Sequence, residues 1–190
     1  MARNESRRTE LTDAAITVLA QEGARGLTHR AVDRASGSPT GTTSNYFPTR
    51  IDLMTGLAAR IFERLSPTPE RLAELAELPR DRASFEVHVR DIVARLRRDP
   101  DVTLAWFELR LNAARSPEIA ELVGTVLRAG FADDVAYNTG AGLPGGPAEI
   151  ALFHYAIDGL MLDRLTVSID PDTDTDDVVG SLVDGLLPPG

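Results

Sequence analysis

Apolar residues recur along this chain at intervals of three and four, the spacing that gathers them on one side of a helix. Leu11, Ala14, Ala15, Val18 and Leu19 make the first such stripe, and Gly23 and Gly26 close it, as glycine does past a helix end. Thr28 reads as an N-cap, its hydroxyl placed to accept from an orphan backbone N–H, and predicts a short helix to about Ala35. Gly37 marks a tight turn. Pro39 lacks the N–H that a first helical turn would leave unpaired, which predicts a third helix from there to about Tyr46, closed by Phe47 and Pro48. A fourth begins near Thr49, carries Leu53, Leu57, Ile61 and Leu65, and ends at Pro67 and Pro69.

Residues 70–77 predict a short connecting helix, and longer stretches follow. Phe85, Val89, Ile92 and Leu96 form one seam; Leu104, Phe107, Leu111 and Ala114 a second; Ile119, Leu122, Val123, Val126 and Leu127 a third. Asn138 to Pro147, with four glycines and two prolines, reads as a loop. An apolar helix is predicted over Ala148–Ser168, an acidic linker over Ile169–Asp177, and a last helix through Val178, Val179, Leu182, Val183 and Leu186. No run alternates as a half-buried strand would. The expected fold is all-α, about nine helices.

Composition narrows the chemistry. The 190 residues hold no cysteine, which removes disulfides, thiolate metal sites and thiol nucleophiles. The N-terminus lacks an apolar signal segment, and the most apolar helix is interrupted by Asp158 and Asp163, so a cytoplasmic location and no membrane partner are expected. Net charge is -9, which by itself argues against a polyanionic partner. Its distribution reverses that inference: up to Arg50 seven arginines face five acids, whereas the remainder sets 13 arginines against 24 acids. A mildly basic head on an acidic body can meet phosphates with the head alone. An enzyme finds little support, because no glycine-rich loop follows a strand and no serine sits in a nucleophile elbow. His154 with Asp158, and His88 with Asp91, share helix faces, yet two ligands do not make a metal site, and no cofactor is expected.

Two short helices joined by a glycine turn form a helix-turn-helix pattern over about 28–47. The residues there are specific: Gly26, Leu27, Thr28, His29, Arg30, Ala31 and Val32; Gly37; Gly41 and Thr42; Tyr46, Phe47, Pro48, Thr49 and Arg50; then Leu53. With Ala14, Ala15, Glu22 and Gly23 they resemble the TetR family of repressors across roughly Glu5 to Leu65. The resemblance implies a DNA-binding domain over 4–65 and a ligand-binding and dimerisation domain over 66–190. Thr28 then sits where a helix N-terminus favours a phosphate, and Arg30 and Arg50 bring charge. Thr40, Thr42, Thr43, Ser44, Asn45 and Tyr46 place hydroxyl and amide groups where base edges and phosphates lie. The chain departs from the family pattern at three positions. Ser44 stands where a phosphate-contacting tyrosine is usual, a contact Tyr46 could supply from a different point. Asp33 replaces an alanine and brings an acid towards the DNA. Ser38 replaces an apolar turn residue.

The resemblance further implies a palindromic double-stranded DNA operator, a homodimer, and an unknown small-molecule effector that releases a repressor from that operator. Leu152, Tyr155, Ala156, Gly159, Leu160, Val179, Leu182, Val183 and Leu186 are the expected dimer positions. Phe85, His88, Trp106, Phe107, Arg110, Phe131, His154 and Asp158 are the expected pocket positions. The rival reading is a helical module that binds another protein through its second and third helices.

Overall fold

The computed structural model describes residues 2–188, with side chains from Asn4 onward. It contains ten helices and no strand among those residues: α1 (Ala2–Gly26), α2 (His29–Ala35), α3 (Thr42–Tyr46), α4 (Arg50–Leu65), α5 (Pro69–Ala76), α6 (Arg82–Arg98), α7 (Pro100–Ala113), α8 (Pro117–Ala141), α9 (Pro147–Leu165) and α10 (Thr175–Leu186). None of them is long and apolar enough to cross a membrane. The helices form two compact units, one up to Ser66 together with Asp99–Thr125, the other Pro67–Arg98 with the chain from Val126 onward.

In the first unit the predicted stripe of α1 packs against α2, α4 and α7. Leu11, Ala15, Leu19 and Leu27 are fully buried, as are Leu57, Met54 and Ile61 of α4 and Leu109 of α7. Trp106 meets Phe62 edge-on, 4.9 Å between centroids, the arrangement that the ring quadrupoles favour. The seam of α7 is rotated from the expected one: Val102, Ala105, Trp106 and Leu109 are buried, while Leu104 and Phe107 are half-buried and Leu111 is exposed. This helix is apolar around most of its circumference, so periodicity alone does not single out a face. Polar bonds lock the same unit. Arg60 clasps Asp13 with two N–H groups at 2.8 and 3.0 Å, and Arg64 joins Asp13 to Asp99.

In the second unit α6, α9 and α10 share a core. Phe85 packs on Phe153 at 5.0 Å, beside buried Val89, Val93, Ile157 and Met161. Arg82 reaches the end of α10 and donates to the carbonyls of Val183 at 2.6 Å and Leu187 at 3.2 Å, filling acceptors that a helix terminus leaves open. Two boundaries differ from the sequence expectation. Helix α8 runs on through Ala141, because the Asn138 amide donates to the carbonyls of Leu143, Pro144 and Gly145 and folds the glycine segment back on the helix end. Helix α9 stops at Leu165 rather than Ser168, where Thr166 turns the chain.

Candidate nucleic-acid interface

Helices α2 and α3 and the turn between them build a polar exposed face of the first unit. Thr28 caps α2 as expected, accepting from Ala31 N at 3.1 Å. Thr49 and Asp52 close a capping box that starts α4. The apolar side of the unit is sealed by Val32 and Phe47, both fully buried. The Phe47 ring lies on the bare backbone of Gly56, where an added Cβ would come within 2.5 Å of the ring. Arg8 covers the other side of that ring, its guanidinium 4.3 Å from the centroid, and donates to Tyr46 O at 3.2 Å.

The turn itself is organised by a residue expected to lie against DNA. Asp33 is buried, not exposed. Its carboxylate accepts from Gly41 N, Thr43 N and the Thr43 hydroxyl at 2.7, 2.7 and 2.6 Å. A side chain at the end of α2 thus satisfies the orphan N–H groups at the start of α3, the work an N-cap usually does locally. Burial alone would raise the Asp33 pKa, but the bonds from Thr43 and Gly41 outweigh it and hold the group below the ordinary carboxylate value. Gly41 is the helix N-cap at φ 94 and Gly37 turns at φ 64, both in the left-handed region that favours glycine.

This arrangement corrects three expectations. Thr43 is fully buried and spends its hydroxyl on Asp33, so it is part of the scaffold rather than a DNA contact. Helix α3 begins at Thr42, so Pro39 and Thr40 lie in the turn ahead of it, with Thr42 N and its hydroxyl bonded to Pro39 O. Arg50 is exposed, yet its guanidinium donates to Leu27 O and Ala24 O, both at 2.7 Å, and ties the start of α4 to the chain leaving α1. It is a brace as well as a charge.

What the turn displays is Thr28, Arg30, Thr40, Ser44 and Asn45, all exposed, with Thr42 and Tyr46 half-exposed beside them. Arg30 makes no hydrogen bond or ion pair among the described residues. The Ser44 hydroxyl donates to Gly41 O at 2.9 Å. Asn45 and Tyr46 border an open hollow shared with Asn4, Glu5 and Arg8. Glu5 and Arg8, at the start of α1, are residues for which helical periodicity gives no signal, since they precede its apolar stripe.

The expected pocket residues divide between the two units. Trp106 is buried on Phe62, with the Arg110 guanidinium 5.8 Å from its ring, and Phe107 is half-buried. In the second unit Phe85 is buried on Phe153. His88 meets the Tyr137 hydroxyl at 3.2 Å, and burial with Asp91 nearby raises the Tyr137 phenol above its ordinary pKa. Asp91 in turn lies between Arg71 and Arg95 at 2.7 and 2.9 Å. His154 pairs with Asp134 at 3.0 Å and stands edge-on to Phe131; Asp158, one turn on, is half-buried. No group of three or more metal-ligating side chains forms among the described residues. Of the expected dimer positions, Leu152 and Tyr155 are exposed, Gly159 has open space beyond it, and Ala156, Leu160, Leu182 and Leu186 are half-buried. Val179 and Val183 are fully buried in their own unit, so neither is offered to a partner: α10 turns them towards the α6 and α9 core.

Residues 80–189 match the family described as tetracyclin repressor-like, C-terminal domain. The HTH-type transcriptional repressor KstR of Mycolicibacterium smegmatis is 30% identical over 81 residues, a match spanning 43% of this chain and 40% of that protein. A TetR-family transcriptional regulator from Rhodococcus sp. superimposes over 95% of this chain and 98% of its own, with TM-score 0.75 and 19% identity. The multidrug binding protein EbrR, solved with imidazole, covers 97% and 96% with TM-score 0.66 and 25% identity.

Proposed function

This chain belongs to the TetR family of transcriptional regulators, and from that premise we propose that it is an operator-binding repressor released by a small molecule. Members of that family bind DNA operators, act as dimers and bind small-molecule ligands, and the relatives matched here include a transcriptional repressor and a transcriptional regulator.

The observation that carries the reading is the division of labour around Asp33. Its carboxylate holds the start of α3 from inside, so Arg30, Thr40 and Asn45 keep their polar groups for an outside partner, and the Thr28, Thr42 and Ser44 hydroxyls, each with one bond inside the turn, keep one further bonding direction. Small hydroxyl and amide side chains on a five-residue helix match base edges and phosphates in a major groove. Two such heads, one per protomer, fit a palindrome whose half-sites lie about 34–36 Å apart. The effector acts by population shift, its power limited by its differential affinity for the two dimer shapes. Helix α4, which belongs to the DNA-binding head and packs on α7 within the same unit, is the proposed mechanical element. Phe131, His154 and Asp158, with His88 and Tyr137, are the polar and aromatic groups proposed to meet the effector in the second unit.

The test is titration of the purified protein against labelled DNA from immediately upstream of its own gene, over a salt series and against scrambled sequence. The expected result is saturable, sequence-dependent binding by two protomers per site, steeply weakened by salt. Binding equal to scrambled DNA, followed by failure to enrich any site from random sequence, would sink the DNA reading and favour the protein-binding module.

A further inference from the structure

Helix α9 hands over to a loop held by a set of side-chain bonds. Thr166 donates its hydroxyl to Leu162 O at 2.5 Å where the chain leaves the helix. Arg164, with a largely buried side chain, donates from Nη1 to Ser168 Oγ and Asp170 O, both at 2.6 Å, and from Nη2 to Thr173 O at 2.9 Å. Asp163 accepts from Ser168 Oγ at 2.6 Å and Ile169 N at 2.8 Å. Asp174 then caps α10. Out of this cage project Val167, 85% exposed, and Ile169, 95% exposed, the most exposed large apolar side chains among the described residues. Scattered apolar residues on a surface are ordinary. Two β-branched ones displayed on a loop braced by a guanidinium and a carboxylate are not accounted for by anything within the chain.

We propose that Val167 and Ile169 form an arm that seats on a second copy of this chain, extending the pairing surface beyond α9. The inference rests on the paired regulator proposed above. Its occupant follows from continuity. Leu152, Tyr155, Gly159 and Leu162 recur at three- and four-residue spacing on the outward side of α9, with Leu152, Tyr155 and Leu162 at 44%, 71% and 50% exposure and open space beyond Gly159. The loop begins four residues after the last of these, with the Thr166 hydroxyl on the Leu162 carbonyl. A stable pairing buries about 800 Å² per partner, whereas one stripe of four positions offers on the order of a few hundred Å². The arm supplies further apolar area, and two-fold symmetry counts it twice. Asp170, Asp172 and Asp174 follow it at once, giving the apolar contact the polar rim that such interfaces carry.

The experiment uses the full chain and its lack of cysteine. Sedimentation velocity across a concentration series compares the wild type with Val167→Asp/Ile169→Asp and, separately, Tyr155→Asp; circular dichroism checks that each keeps its helices. The arm predicts a dissociation constant raised at least about tenfold in the loop variant, with Val167→Leu/Ile169→Leu restoring pairing. An environment-sensitive dye on Ile169→Cys should lose exposure over the same concentration range in which dimers form. If Tyr155→Asp disrupts pairing but the loop variant pairs like the wild type, the arm is wrong and the dimer stands. If the wild type stays monomeric at every concentration, the dimer reading and the arm fall together. A dye shielded by anionic vesicles but not by a second copy would replace the proposed partner with a lipid surface.

Discussion

Two turns in this molecule are organised by charged side chains, one by a buried anion, the other by a largely buried cation with an anion beside it. Between α2 and α3 a carboxylate, Asp33, accepts from two backbone N–H groups and a hydroxyl. After α9 a guanidinium, Arg164, donates to two carbonyls and a hydroxyl. The signs follow from what each site has in excess. A helix about to start leaves N–H groups without acceptors, and the loop after α9 folds the Asp170 and Thr173 carbonyls onto Arg164. The surfaces that result differ as sharply. The first turn shows threonine, serine and asparagine to solvent; the second shows valine and isoleucine. Internal wiring is therefore a poor guide to what a turn presents, and the partner must be read from the side chains left over.

Replacing each centre is the strongest way to break that comparison. Asp33→Ala removes three bonds to one buried anion, each worth about 1.5–3 kcal/mol in such settings but sharing one site. We expect a loss of about 2–3 kcal/mol in urea unfolding together with abolished operator binding, since α3 loses its cap. Unimpaired DNA binding would show that α3 is held by other contacts. The pH dependence follows from the same bonds. Because the folded state holds Asp33 below its ordinary value of 3.8, its stabilisation is fully present above that value and disappears as pH falls through the lower, folded value. Wild type and Asp33→Asn should differ by a constant amount from neutrality down to pH of about 4 and converge below it.

Gly56→Ala ranks next. The added methyl meets the Phe47 ring at 2.5 Å, and overpacking of this kind costs about 1–3 kcal/mol; a thermal melt should show it, with DNA binding weakened because Phe47 ends α3. Arg50→Ala should cost about 1 kcal/mol of stability through the two carbonyls it now serves, separating a brace from a pure phosphate contact. The smallest stability effect belongs to Asn45→Ala, within about 0.5 kcal/mol of wild type, while operator affinity falls by about tenfold or more, the low end for a lost base contact. An Asn45→Ala protein that unfolds instead would make Asn45 structural.

The helical order was legible because its cause is local. Leu11 to Leu19 and Leu53 to Ile61 carry a period that only one secondary structure satisfies, and Thr28 announces its cap within three residues. What escaped was set by bonds across longer separations. Asp33 caps a helix that begins nine residues later, so a local rule saw only an acid where an alanine is usual, and saw in Pro39 a helix start that Gly41 provides. Arg50 looks like a free cation until Ala24 and Leu27 come beside it. Asn138 extends α8 by bonding three carbonyls of a segment whose composition reads as loop. On α10 the period correctly gathered Val179 and Val183 with Leu182 and Leu186, but an apolar period does not say whether the cover is the same chain or another.

The burial of Asp33 and Thr43 has a consequence for how such a protein changes over generations. The side chains that fix the turn point away from the face that would read DNA, and the exposed positions contribute little to holding the fold. On the proposed reading, substitutions at Arg30, Thr40, Ser44 and Asn45 alter which sequence is preferred at small cost in folded stability. Operator preference would then be open to gradual drift, or to deliberate redesign from a library at four positions, on a scaffold that need not be altered alongside it.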